Sequence, residues 1–157
     1  MPRAWRIVKT RYADHAFTGE GARLYGGRWT SPGVRVVYAS SSLSLATLEI
    51  LVHLQSSGPL TYYSVCTVDF PAGLIEEIDV RALPETWREY PAPVELRQLG
   101  DGWIRGESSV VLKVPSVIVP EEHNYLLNPR HRDFFSLSFS EPEPFDVDSR
   151  LFGRPTE

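Results

Sequence analysis

Residues 34–55 read VRVVYASSSLSLATLEILVHLQ, and two patterns meet in them. Val34 to Ala39 is apolar and β-branched, as a strand is. Leu43 to Gln55 lacks glycine and proline, follows three serines able to cap a helix, and gives way to SSGP. Its apolar residues fall nearly all round the helix axis, which predicts burial between layers. Outward from this strand and helix, AWRIVK (4–9), LTYYSVCTVDF (60–70), LIEEIDV (74–80) and SSVVLKVPSVIV (108–119) read as strands, with Pro115 at an edge or bend. PFDVDSRLF (144–152) reads as a last strand, while PETWREYPAPVELRQLG (84–100) and SEPEPF (140–145) read as proline-rich loops or short helices. Strands and helices mix without regular βαβ alternation. The expected class is therefore α+β, a largely antiparallel or mixed sheet with packed helices, and not a doubly wound nucleotide fold.

A chain of 157 residues suits one domain, spanning 1–157, with enough length to bury a core. A net charge of -4 offers no broad attraction to phosphate backbones, so direct nucleic-acid binding is not expected, although a local basic pocket is compatible with it. The single cysteine, Cys66, sits at an apolar strand position, so neither a disulfide nor a cysteine-based zinc site is within reach. No metal site is expected. The N-terminus MPRAWRIVKTRYADHAF lacks a long apolar region, and no apolar run approaches the roughly 20 residues of a membrane span. These features predict a cytoplasmic protein that is neither exported nor embedded.

Several common chemistries are excluded by their motifs. G-x-G-x-x-G beginning at Gly19 fails because Leu24 occupies the third glycine position, and no helix is expected directly after it. No phosphate-binding G-x-x-x-x-G-K-[ST], H-E-x-x-H or G-x-S-x-G is present.

The candidates that remain are polar residues in unexpected places. Arg28, in GGRWTSPG (26–33), follows two glycines that let a ligand or another backbone come close. It reads either as a fork clamping an anion or as a loop charge paired to a surface carboxylate. Trp29 reads as a core or sheet-edge aromatic. Glu49 lies on the mostly apolar helix, where a carboxylate marks a site or makes an i,i+4 contact with His53 at a solvated edge. Tyr38, at the end of the strand, reads as packing when taken alone. Strand, loop and helix are consecutive, however, so Arg28, Tyr38 and Glu49 can converge on one place. VPSVIVPEEHNYLLNPRH (114–131) adds Ser116, His123, Asn124, Asn128 and His131. A serine hydrolase would need Ser116 beside a histidine on a strained elbow, and that elbow is absent. Asn128 precedes Pro129, so LLNPRH (126–131) reads as a loop that binds a ligand or closes a turn.

LYGGRWTSPGVRVVYAS, SLATLEILVH and LKVPSVIVPEEHNYLLNPRH together resemble the RES-domain toxins, partners of Xre-like antitoxins, over nearly the whole chain. The family is named for an arginine, a glutamate and a serine, matched here by Arg28, Glu49 and Ser116, with Ser108 and Ser109 close by. Thr30 stands where many relatives carry asparagine. The resemblance implies an ADP-ribosyltransferase-like fold and a toxin of a type II toxin–antitoxin system. It implies that NAD+ is consumed as substrate by hydrolysis or phosphorolysis, with no other cofactor, or is used to ADP-ribosylate a protein. A non-catalytic interaction module is the reading from a different class. In the enzyme readings Glu49 stabilises the oxocarbenium-like state and Arg28 holds a phosphate or the nicotinamide ribose region. Tyr38 stacks on nicotinamide, Ser116 bonds nicotinamide or its ribose, and Asn124 and Asn128 contact the substrate. An Xre-like antitoxin is the implied partner, and a homodimer within that complex is compatible with it.

Overall fold

The computed structural model describes residues 1–53 and 62–152. The strands are β1 (Arg3–Lys9), β2 (Val37–Ser40), β3 (Tyr63–Asp69), β4 (Ile75–Glu77), β5 (Val111–Pro115), β6 (His123–Leu127), β7 (Ser138–Phe139) and β8 (Glu143–Phe145). They form one sheet in the order β4-β5-β6-β2-β1-β3-β7, with β8 also pairing β3. Only the β4–β5 pair is parallel among those described, so the sheet is mixed and the α+β expectation holds. The helices are α1 (Glu20–Tyr25), α2 (Leu43–His53) and α3 (Val94–Gly106), with short 3-10 turns between elements.

β1 and β3 pair over seven residues, from Arg3↔Asp69 to Lys9↔Tyr63, and this fixes which side chains share a face. Directly opposed residues lie on the same face, so Val114, Asn124, Ser40 and Trp5 form one row across β5, β6, β2 and β1. α2 packs at the β1 end of that face, placing Ala46 with Ile7 and Tyr63. The β5 end carries Leu112, Val114 and Leu126, clustered with Trp29, Leu96 and Trp103. Leu96 is fully buried there, and Leu96→Ala would cost about 2–5 kcal/mol. The opposite face buries Ala4, Val37, Val111 and Leu127 under Phe70, Phe134 and Leu137. Cys66 is buried in β3, as its strand position predicts.

Ser42 caps α2, its Oγ accepting from Leu45 N at 3.0 Å. The expected burial of this helix between two layers is not what the fold does. Leu45 and Ala46 are buried, but Leu48 and Val52 are 39% and 51% exposed, because the sheet covers one side only. Leu54, Gln55, Leu60 and Thr61 lie outside the described residues.

Five further expectations are corrected. A six-residue helix, α1, does follow Gly19, though Leu24 still denies the dinucleotide pattern its third glycine. The strand expected from Val34 begins only at Val37. PAPVELRQLG enters α3, a thirteen-residue helix, because Leu96 and Trp103 supply an apolar stripe on which packing overrides the glycines. His123–Leu127 is strand β6, so Leu126 and Leu127 are not loop; only residues after them turn. The tail is a strand only over Glu143–Phe145 and turns helically at Ser149–Phe152. Among the described residues, no helix is long and apolar enough to cross a membrane.

Candidate active site

The β5–β6 connection begins at Ser116, whose N donates to the Glu122 carbonyl at 3.0 Å. The turn folds back so that Ile118 N and Val119 N both donate to Ser116 Oγ, at 3.1 and 3.2 Å. With those acceptor positions taken, the hydroxyl proton is directed outward, and it is donated to Glu49 Oε1 at 3.1 Å. Asn124 Nδ2 donates to the same oxygen at 2.7 Å. Ser40 Oγ in turn donates to Asn124 Oδ1 at 2.8 Å, which fixes the amide with its nitrogen toward Glu49. Among the described residues no donor reaches Glu49 Oε2. One oxygen is thus anchored by two donors and the other is left to accept.

This arrangement decides between the two readings of Glu49. Its partners come from β5–β6 and not from His53 one turn on, which is exposed. It also separates the serines. Ser108 Oγ donates to Glu76 and Ser109 Oγ accepts from Trp103 Nε1, so Ser116 is the serine that faces Glu49. Among the described residues no histidine hydrogen-bonds the Ser116 hydroxyl, and His131 bonds the Glu107 carbonyl and accepts from Asp133 N.

Arg28 approaches from the loop between α1 and β2. Its Nη1 donates to the carbonyls of Trp87 and Glu89 at 3.1 and 3.0 Å, and no carboxylate lies within ion-pair distance among the described residues. Burial lowers its pKa, and the negative charge of Glu49 opposes that lowering. Arg88 donates to the Val117 carbonyl at 3.1 and 3.0 Å, so the 87–89 segment joins Arg28 to the turn that carries Ser116. Tyr90, next in the chain, is 91% exposed.

Tyr38 lies beneath the arginine loop. Its hydroxyl shares a 2.7 Å hydrogen bond with Thr30 Oγ1, and a Cβ at Gly27 would stand 2.5 Å from it. Burial pushes the phenol up to about 12. Trp29 is core, as expected. Asn128 is not brought to this cluster. It lies past the far end of β6, roughly 13 Å along the strand from Asn124 by strand rise. It is 1% exposed, and its side chain is spent on the turn, Oδ1 accepting from Arg130 N and Nδ2 donating to the Ile104 carbonyl. Ser40 was missed by sequence reasoning, and its signal is a buried hydroxyl in register with Asn124. A surface concavity of about 380 Å³ between Leu83, Pro84 and Glu95, Gln98, Leu99 of α3 shares no residue with the cluster.

A family model described as the RES domain matches residues 3–148. The protein named Toxin Res of Yersinia enterocolitica is 43% identical over 148 residues, covering 94% of this chain and 97% of its own. Toxin Res of Photorhabdus laumondii is 37% identical over 148 residues, covering 94% and 95%. A Sphingobium protein named Prs ADP-ribosylating toxin is 43% identical over 154 residues, covering 94% of each. Among solved structures, a chain of the M. tuberculosis MbcT-MbcA toxin–antitoxin complex superposes with a TM-score of 0.73 at 16% identity, covering 92% of this chain and 84% of that one. That likeness shows a shared fold.

Proposed function

The chain belongs to the RES domain family, and from that premise we propose that it is the toxin of a type II toxin–antitoxin pair and cleaves the nicotinamide–ribose bond of NAD+. The observation that carries this reading is the carboxylate of Glu49, one oxygen held by Ser116 and Asn124 and the other open. When the C1′–N bond breaks, its electron pair stays on the nicotinamide nitrogen, which leaves as a neutral ring, and positive charge develops on the ribose. A fixed negative carboxylate stabilises that charge and accepts a hydrogen bond from the 2′-hydroxyl. Water or phosphate then bonds C1′; with water, the proton passes to solvent and the products are nicotinamide and ADP-ribose. Arg28 holds the pyrophosphate and so places the scissile bond over Glu49. Ser116 acts by orienting Glu49 and not as a covalent nucleophile, because its oxygen already accepts two main-chain N–H groups. Tyr38 supports the arginine loop from below. A cytoplasmic site of action and an Xre-like protein antitoxin complete this reading, and the toxin–antitoxin complex among the fold's likenesses supports the partner.

A second acceptor is favoured by one specific observation, the name of the Sphingobium relative. In ADP-ribosylation the bond broken is the same, and a protein side chain replaces water. Incubation of purified protein with NAD+ labelled in the ADP-ribose half, with and without phosphate and cell lysate, separates the outcomes. Hydrolysis leaves label on free ADP-ribose, phosphorolysis on its phosphate ester, and transfer on a protein band. NAD+ that stays intact in all three mixtures overturns the reading.

A further inference from the structure

α3 turns Arg97, Gly100 and Asp101 toward the arginine loop at i, i+3 and i+4, one face of a helix. Asp101 Oδ1 accepts from Ser31 N at 2.9 Å and Oδ2 from Ser31 Oγ at 2.6 Å. Arg97 Nε donates to the Gly27 carbonyl at 3.3 Å. Between them the loop lies directly on the helix backbone, since a Cβ at Gly100 would stand 1.7 Å from the Trp29 carbonyl oxygen. Arg97 and Asp101 are opposite charges at i,i+4, the spacing of an intrahelical ion pair. No such pair forms among the described residues; each side chain reaches the loop instead. From below, Tyr38 holds Thr30 and leaves no room for a side chain at residue 27. Gly27, Trp29, Thr30 and Ser31 are thereby fixed on both flanks of Arg28.

We propose that Asp101 and Arg97 are positioning residues that set the place of the Arg28 guanidinium for an anionic substrate group. The inference rests on the reading of Arg28 as the clamp for the pyrophosphate of NAD+. A carboxylate accepting a main-chain N–H makes a charge-assisted bond about twice as strong as a neutral one, and displacing a binding group by about 1 Å is enough to weaken its grip severely. The two residues touch no substrate; they act through the loop backbone.

The test is kcat and KM for nicotinamide release by wild type, Arg28→Ala, Asp101→Ala, Asp101→Asn and the Arg28→Ala/Asp101→Ala double variant, each checked for an intact thermal transition. Asp101→Ala is expected to raise KM about tenfold with kcat within about twofold. Asp101→Asn, which keeps an oxygen for Ser31 N, restores KM to within about threefold. The double variant should be no worse than Arg28→Ala alone, since the two act as a unit. A fall in kcat at unchanged KM for Asp101→Ala, or an Asp101 effect that persists undiminished without Arg28, overturns the proposal alone. An unchanged KM in Arg28→Ala overturns the clamp reading and this inference with it.

Discussion

The carboxylate and guanidinium ends of the site are built differently. Glu49 is held by side chains, Ser116 at the start of the β5–β6 turn and Asn124 on β6, with Ser40 behind Asn124. Arg28 is held by main chain, its Nη1 on the Trp87 and Glu89 carbonyls and its loop pinned to α3. The difference teaches where precision is needed. A charge that must meet a developing cation at one atom is fixed by several specific donors. An anion grip is set at one remove, by the loop that carries the arginine, and Asp101 and Arg97 of α3 hold that loop through its backbone.

Each end can be broken separately. Glu49→Gln keeps the shape and removes the charge, and is expected to lower kcat for nicotinamide release by about 100- to 1,000-fold while leaving KM within about threefold. Arg28→Ala is expected to lower kcat/KM by about 10- to 100-fold, chiefly through KM. An effect of Arg28→Ala confined to kcat would erase the distinction. Asn124→Ala leaves Glu49 with the Ser116 donor and should reduce kcat about tenfold. Asn128→Ala sharpens that result from the other end of the same strand. It is expected to leave turnover per folded molecule unchanged and to cost about 1–2 kcal/mol in denaturant unfolding, by freeing Arg130 N and the Ile104 carbonyl.

A last expected effect is confined to alkaline pH. Burial raises the Tyr38 phenol from 10.0 to about 12, so the folded state keeps a proton that the unfolded chain has released. Stability present below pH 10 is therefore lost as pH rises toward 12, by up to about 3 kcal/mol from this group. Subtracting the alkaline unfolding curve of Tyr38→Phe from that of the wild type should leave this loss. A difference that is flat with pH would place the phenol in solvent.

What the sequence made legible follows the range of the interactions. α2 and the strands around it were readable because serine capping, β-branching and apolar runs are local. The nearness of Tyr38 to the arginine loop was readable because loop and strand are consecutive, whereas the partners of Glu49 come from the β5–β6 segment, distant in sequence. α3 was hidden by Pro91, Pro93, Gly100 and Gly102, and the need for glycine at residue 100 appears only when the Trp29 carbonyl lies against it. β6 was hidden because HNYLL is short and begins polar, and its pairing with β2 and β5 supplies what its own residues do not. Asn124 and Asn128 were equivalent on paper. Their separation by the length of a strand, one on Glu49 and one closing a turn, is set by register alone. The RES motifs pointed to Ser116 over its neighbours, but the hydrogen bond to Glu49 required the turn at 116–119.

The most direct test of the two-ended site is a crystal structure of Glu49→Gln soaked with NAD+, since that variant is expected to bind NAD+ while turning it over about 100- to 1,000-fold more slowly. The nicotinamide ribose 2′-hydroxyl is expected within hydrogen-bond reach, about 3 Å, of residue 49, and the pyrophosphate on Arg28. NAD+ bound away from these residues, or with its adenine ribose at residue 49, would contradict the two-ended site.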